Sequence, residues 1–405
     1  MKAILFLGME EQGGSRDALR AAARMGYAVH VLTTNPTLFR DADAALPEAA
    51  SVQYVRPLRF RDGEAEIERL RSAGVDVAAV VSFSERHVYT ACLLNDAIRG
   101  EVFTTAAYRC IRNKAAVRKR LEGLPFNPYY AILTDNHPSA LGELEARLPL
   151  ILKRPNSGGS RDVYLAADAA ELSRAAQRLS PSKEAPALVE EYLDGPQYLT
   201  EVLVYGGSVR LVAVIRQDVE FENGKFIVKG YSIMRDRAAP LFLALEETVN
   251  AVIERIGLKN GSCHLELRCV RGNWKLVEIN SRLSGGFMNR FIDAATGVDT
   301  AEAIVRMWLG GAPDVRPTRD RYAYARYVTA DRAGRCRAVR GVEEARQAPG
   351  VELAFVHDVV GQPIRPPRSM ADRYGCVIAV GDSAEEAEAN AKAAAAMIRF
   401  EWERP

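Results

Sequence analysis

Between Cys263 and Asn280 the chain alternates apolar and polar side chains twice, once on each side of Arg271-Gly272-Asn273. That pattern admits little besides two antiparallel strands joined by a tight turn. Cys263, Leu265, Leu267 and Cys269 alternate with His264, Glu266 and Arg268, and Trp274 to Asn280 alternates likewise. A three-residue loop at 271–273 would pair Val270 with Trp274, setting Glu266 opposite Glu278 and His264 opposite Asn280 on one face; a two-residue loop would break that register. Facing carboxylates repel, so such a face needs either water or a cation between them. With the neutral oxygen of Asn280 they make a donor set that suits Mg²⁺, which takes one or two carboxylates and completes its octahedron with phosphates and water. Arg282, next on that face, would reach the same phosphates. On the strands alone, an ordinary hairpin with a solvated acidic face accounts for the pattern equally well.

A length of 405 residues calls for two or three domains. The 54 basic and 52 acidic residues leave a net charge of +2, which gives no electrostatic case for nucleic acid or an anionic membrane. Cysteines 92, 110, 263, 269, 336 and 376 form no CxxC pair and no zinc-ligand spacing, so a reduced, cytoplasmic protein is expected. The N-terminal apolar run reads as a buried strand and not as a signal peptide, and no stretch approaches the roughly 18 apolar residues of a membrane span.

Residues 3–8, a helix from about Ser15 to Met25 and a strand from Ala28 to Thr33 open a parallel α/β domain, which continues with a helix at 63–73, a strand from Val77 to Ser82 and a helix at about 85–97. Gly8, Gly13 and Gly14 do not fit the GxGxxG spacing of a nicotinamide site. Ser82, Ser84 and Glu85 follow a strand's carboxyl end, where open α/β sheets bind ligands, although a plain helix N-cap explains them as well. A basic helix, YRCIRNKAAVRKRL, spans 108–121, and most of its cations read as a solvated face. A strand carrying Lys153 then leads into a flexible loop, Asn156 to Ser160, whose backbone N–H groups could cover phosphates; without GKS or GKT it is no Walker A loop. ALVEEYLDGPQYLTEVLV follows, an apolar strand ending in two glutamates before Gly195-Pro196. The last 90 residues open with a strand at Tyr322 to Val328 and close with an alanine-rich helix behind a Ser383/Glu386 capping box.

Taken in order, the NK helix, the strand lysine, the glycine-rich loop, VEEYLDGP and EIN-x-R-x-GG resemble the ATP-grasp superfamily, and within it the carboxylate–amine ligases that join amino acids, over nearly the whole chain. The resemblance implies an α/β fold, α+β in its C-terminal part. Its divisions would be a Rossmann-like domain (1–100), a linking helical segment (101–148), a small lid (149–200), a large antiparallel-sheet catalytic subdomain (201–318) and a C-terminal subdomain (319–405). It implies ATP with one or two Mg²⁺ ions, Mn²⁺ being the alternative, and small-molecule substrates; a homodimer is compatible with it. Position by position, Lys114 and Lys153 would bind the ATP phosphates, and Ser157, Gly158, Gly159 and Ser160 would close over them. The adenine would lie against Leu193 and hydrogen-bond the chain at Glu190, Glu191 and Tyr192. Gln197 would stand where relatives often carry a ribose-binding glutamate. Glu266, Glu278 and Asn280 would hold the metal, and Arg282 the transferring phosphoryl group. Backbone N–H groups near Ser284, Gly285 and Gly286 would stabilise the oxyanion. His264 is within reach as a proton acceptor, with a supporting role in the core as the alternative. Other readings are a biotin-carboxylase-like or purine-pathway ATP-grasp enzyme and a non-catalytic nucleotide-binding module.

Overall fold

The computed structural model describes residues 2–9, 13–40, 46–100, 103–158, 162–222 and 225–403. Its first sheet is wholly parallel, in the order Ala49–Tyr54, Ala28–Thr33, Lys2–Leu7, Asp76–Val81. The central strand reads KAILFL and five of its six residues are buried, as befits a strand covered on both faces by helices. The helices Gly14–Arg24, Phe60–Ser72 and Val88–Arg99 supply that cover. Neither Ala49–Tyr54 nor the short helix Pro36–Arg40 is legible in the sequence pattern.

The basic stretch is two helices, Thr105–Ile111 and Lys114–Arg120, not one. They separate at Asn113, whose side chain caps the second by accepting from Ala116 N at 3.0 Å. Capping puts Lys114 at the first helical position, where the helix dipole does not favour a cation; the gain is that its ammonium projects from the helix end toward the site.

A small antiparallel sheet follows, ordered Tyr130–Leu133, Ala187–Glu191, Leu150–Lys153, Val163–Ala166. With the helix Ala169–Leu179 it encloses its own core, including Leu150, Leu152, Leu172, Leu179 and Val189. That separate core lets it behave as one rigid piece against the rest.

The large sheet has eight strands, in the order Asn273–Asn280, Gly261–Val270, Gln197–Tyr205, Ser208–Glu222, Lys225–Ile233, Tyr322–Val328, Gly375–Gly381, Val351–Val356. It therefore runs without interruption from the hairpin of 261–280 into the C-terminal strands, so residues near 373 and residues near 282 are carried by one continuous support.

Within the hairpin the expected turn is overturned. Val270 pairs with Asn273, so the loop is the two residues Arg271-Gly272, both at positive φ (50° and 81°) as a tight I′-like turn requires. The register is nevertheless restored by a β-bulge: pairing shifts between Glu266 and Leu267, leaving Val277 as the extra residue. Glu266 then lies opposite Glu278 and His264 opposite Asn280.

Candidate active site

Three elements bring charge to one place. From the helix Lys114–Arg120, Lys114 Nζ reaches Glu278 Oε1 at 3.0 Å and donates to the Ser157 carbonyl at 2.6 Å, tying the glycine-rich loop to the hairpin. From the small sheet, Lys153 Nζ meets Glu190 Oε2 at 2.6 Å. The pair is diagonal across neighbouring strands, since Ile151 is the residue opposite Glu190.

The other oxygen of Glu190 is taken by Arg118 Nε, also at 2.6 Å. Arg118 corrects the expectation that the cations of this helix other than Lys114 are solvated, because its side chain is only 1% exposed. It sits one turn after Lys114, on the same helix face, and that spacing is the signal that could have found it. Its Nη2 donates at 2.7 Å to the carbonyl of Val277, the bulge residue. The irregularity that rescues the register thus presents a carbonyl to the buried guanidinium. Burial pushes the Glu190 carboxyl up, but Arg118 and Lys153 outweigh it and hold it below its ordinary value. Burial likewise holds the Lys153 ammonium below its ordinary value although Glu190 opposes it.

Glu266 is the counterpart. Burial and the facing Glu278 push its carboxyl up, against the pull of Lys153, Lys114 and Arg282. Among the described residues its one direct side-chain donor is neutral, Gln197 Nε2 at 2.9 Å. Gln197 is itself held by Arg268 Nε at 3.1 Å, and Arg268 Nη1 donates to the Leu193 carbonyl at 2.6 Å. The segment read as the adenine side is thereby fastened to the hairpin. Gly195 cannot carry a side chain there, because a Cβ would fall 2.1 Å from the Cys269 carbonyl. The contacts expected for adenine are to the main chain at Glu190, Glu191 and Tyr192, two of whose N–H groups are already engaged. The N–H groups of Glu191 and Tyr192 already donate to the carbonyls of Tyr129 and Pro149 (both 3.1 Å), and the Glu190 side chain belongs to the ion cluster.

His264 and Ser284 turn inward. His264 Nδ1 lies 2.8 Å from the Arg282 carbonyl and Nε2 lies 3.1 Å from Asn280 Nδ2. With the amide donating to Nε2, the ring is neutral with its proton on Nδ1. Burial first, and Arg282 second, lower its pKa to about 3, so it is positioned as a support and not as a proton acceptor for substrate. The Ser284 N–H, expected at an oxyanion, donates instead to the buried Glu201 carboxylate at 3.1 Å. Glu201, which the sequence reading missed, has its pKa pushed up to about 7 by burial. Gly285 and Gly286 are exposed and remain available to substrate, whereas Gly159 and Ser160 lie outside the described residues.

Of these groups Gly158, Arg282 and Gly286 line a cleft of about 1370 Å³, and the Glu266/Glu278 pair, Lys114 and Lys153 lie outside its lining. One wall is the carboxyl edge of the parallel sheet, with Gly8, Thr34, Ser84 and Glu85; a second is Arg282 to Phe287; a third is the C-terminal part, with Tyr327, His357 and Arg373. Arg282 Nη2 meets Glu85 at 3.3 Å across it, and Gly13 abuts Gly286 so closely that a Cβ would fall 2.5 Å from the Gly286 carbonyl. The helix after Glu85 starts only at Val88, so Ser84 and Glu85 face the cleft and do not cap it.

The donor set offered to a metal is two carboxylates and an amide oxygen; among the described residues no group of three or more His, Cys, Asp and Glu side chains could hold one. A hard cation that draws its remaining ligands from phosphates and water fits such a set.

Known proteins match along the same lines. Residues 146–290 match the family model of the ATP-grasp domain, and residues 326–403 that of the L-amino acid ligase C-terminal domain 2. An uncharacterized protein of Sinorhizobium fredii (strain NBRC 101917 / NGR234), y4rH, is 26% identical over 397 residues, covering 96% of this chain and 80% of the relative. The dapdiamide A synthase of Enterobacter agglomerans is 25% identical over 300 residues, 70% of this chain and 68% of that protein. Among solved structures, the L-amino acid ligase from Bacillus licheniformis superposes with a TM-score of 0.81 at 20% identity, covering 100% of this chain and 99% of the other.

Proposed function

From a chain that belongs to the ATP-grasp superfamily and carries the C-terminal domain of L-amino acid ligases, we infer an ATP-dependent carboxylate–amine ligase that joins an amino acid to an amine through an acylphosphate, releasing ADP and phosphate. The observation that carries the reading is the pairing of Glu266 with Glu278, with Lys114 on the rim of that pair and Arg282 two residues beyond Asn280. A non-catalytic nucleotide-binding module would have no use for two facing carboxylates with a lysine ammonium on one of them. The C-terminal match over 326–403 favours the amino-acid branch over the carboxylase and purine branches.

A carboxylate is a poor acyl donor because its leaving group would be oxide; phosphorylation by ATP turns it into an acylphosphate. Glu266, Glu278 and Asn280 would hold one or two Mg²⁺ ions, which when bound would supply charge neutralisation at the transferring phosphates. Lys114 and Lys153 would bind those phosphates, and Arg282, released from Glu85, would follow the charge onto the transferring group. Binding of an anion between them would relieve the surplus of cations around Glu190. The loop at Ser157 and Gly158, already attached to Lys114, excludes water that would hydrolyse the acylphosphate. The amine then attacks the acyl carbon. Gly285, Gly286 and Arg282 line the place where its oxyanion forms.

The test is Mg²⁺-dependent ADP release with amino acids supplied singly and in pairs. The expected outcome is release stimulated by particular pairs and accompanied by a new amide in the mass spectrum. If no pair stimulates release, the ligase reading is lost.

A further inference from the structure

The described residues that line the cleft include five arginines, Arg86, Arg109, Arg112, Arg282 and Arg373, against one acidic residue, Glu85. Glu85 is engaged with Arg282. Arg373 differs from the other four. Its guanidinium lies over the Tyr327 ring, 3.8 Å from the centroid, and Tyr327 stacks edge-on against Tyr231 at 5.8 Å. Its Nε donates to the Met370 carbonyl at 3.1 Å, yet its Nη1 is buried without a hydrogen-bond partner. Among the described residues no carboxylate stands within 4.0 Å of it.

The neighbouring residue explains why it is left unneutralised. Asp372 accepts from Arg365 Nε (3.0 Å), the N–H groups of Arg368 and Ser369 (2.9 Å each) and Ser369 Oγ (3.1 Å). It holds the short helix Met370–Asp372 in place and leaves Arg373 alone. A guanidinium withdrawn from water with no counter-ion is costly, and stacking on an aromatic face offsets only part of that cost. Held by Met370 and by a hydrogen bond to Tyr231, with Nη1 alone left without a partner and no counter-ion, a guanidinium at the wall of a cleft is matched by one ligand chemistry above others, a carboxylate.

That carboxylate is not the one being activated. A carboxylate receiving phosphate must lie beside Arg282 and the Glu266/Glu278/Asn280 floor. Arg373 is on the other wall, behind Tyr327, whose hydroxyl would lie 3.4 Å from a Cβ at Gly286. We propose that Arg373 binds the free carboxylate of the amine-bearing substrate. The inference rests on the ligase reading and assigns a specificity-determining residue to it.

The experiment compares amine partners as free acids and as primary amides, the amides being able to serve only as the nucleophile, with wild type, Arg373→Gln and Arg373→Lys. In wild type the KM for the amide should exceed that of the free acid by about tenfold or more. Arg373→Gln should raise the KM of the free acid about 10–100-fold while leaving the KM for the amide and for ATP within about threefold. Arg373→Lys should fall between, since a point charge lacks the fork. A wild type that does not distinguish acid from amide, or an Arg373→Gln enzyme slowed equally with both, overturns the proposal. If Arg373→Gln does not fold, the wild-type comparison and Arg373→Lys decide. If no pair releases ADP, the ligase reading fails by itself, and thermal shifts with the same acids and amides still read Arg373: stabilisation by the acid that weakens in the variants supports it, and equal shifts overturn it.

Discussion

Glu190 accepts Arg118 Nε and Lys153 Nζ, each at 2.6 Å, while Glu266 receives, among the described side chains, only a neutral amide at 2.9 Å and faces a second carboxylate. The two glutamates belong to the same charged cluster, and burial acts on both in the same direction. What differs is the surroundings: cations hold the Glu190 carboxyl below its ordinary value, and Glu278 with burial drives that of Glu266 above it. The first is a finished clamp between the small sheet and the helix Lys114–Arg120. The second is a place kept short of positive charge, which is what a site must be if a metal ion is to be bound there during turnover. Such a contrast separates a structural carboxylate from one proposed to hold a metal better than burial does.

The largest effect should come from weakening the unfinished side. Glu278→Gln removes one of the two facing charges and should lower turnover about 10²–10³-fold or more. Its side chain is 21% exposed, so thermal melting should move by no more than a few degrees. Steady-state ADP release beside a melting curve reads both; unchanged turnover would refute the metal assignment. On the finished side the balance reverses. Glu190→Gln leaves Arg118 and Lys153 buried without a counter-charge and should cost about 3–5 kcal/mol of stability, measured by urea unfolding. A variant of normal stability whose only defect is weak ATP binding would remove the distinction drawn between Glu190 and Glu266.

Glu201 is an intermediate case, buried like Glu190 but, among the described residues, without an ion-pair partner. Its carboxyl, raised from 4.5 to about 7, favours the protonated form in the folded state. The native protein therefore binds more protons than the unfolded chain between those values, and stability falls as pH rises through the window. His264 acts in the opposite sense: lowered from 6.5 to about 3, it makes stability fall as pH drops through its own window. The two partly cancel in the wild type, so the difference between variants is the cleaner measurement. Glu201→Gln keeps an acceptor for Ser284 N–H and should gain about 1–3 kcal/mol over wild type at pH 8 but almost nothing at pH 4.5. Parallel melts at the two values that show no pH-dependent gap would mean Glu201 is better solvated than its position implies.

Much of this site was legible because strand periodicity fixes which side chains share a face. Alternation puts His264 with Glu266 on one face of their strand and Glu278 with Asn280 on one face of theirs, while the expectation that these faces coincide rested on a three-residue loop. The route to that register was not legible: the loop has two residues, and the bulge at Val277 supplies the missing one, a compensation that depends on the main-chain carbonyl finding Arg118. Arg118 itself was hidden because RKR reads as a solvated run, and its burial is imposed by a glutamate 72 residues away. The N–H groups of Glu191, Tyr192 and Ser284 could not be assigned from sequence either, since a main-chain donor carries no residue-specific mark. In the parallel domain the helices Gly14–Arg24, Phe60–Ser72 and Val88–Arg99 and three of the four strands follow from their apolar runs, but the short helix Pro36–Arg40 does not. Ala49–Tyr54 does not, because AASVQY at that sheet's edge is only partly buried and lacks the pattern.

The smallest effect sharpens the contrast most directly, because it asks for a gain where mutation ordinarily costs. Glu266→Gln removes the repulsion with Glu278 while leaving an oxygen to accept from Gln197. In the absence of metal it should stabilise the protein by up to about 1 kcal/mol at pH 8. Because the Glu266 carboxyl is raised, its ionisation weakens the fold as pH climbs past the ordinary 4.5, so the gain should vanish in acid, where wild type carries the proton anyway. Mg²⁺ with ATP should then reverse the ranking, lifting the melting temperature of wild type and hardly that of the variant, because ligand binding to the native state stabilises in proportion to its affinity. If instead Glu266→Gln is destabilised without metal, Glu266 is a satisfied structural carboxylate like Glu190, and the cation shortage inferred for the hairpin does not exist.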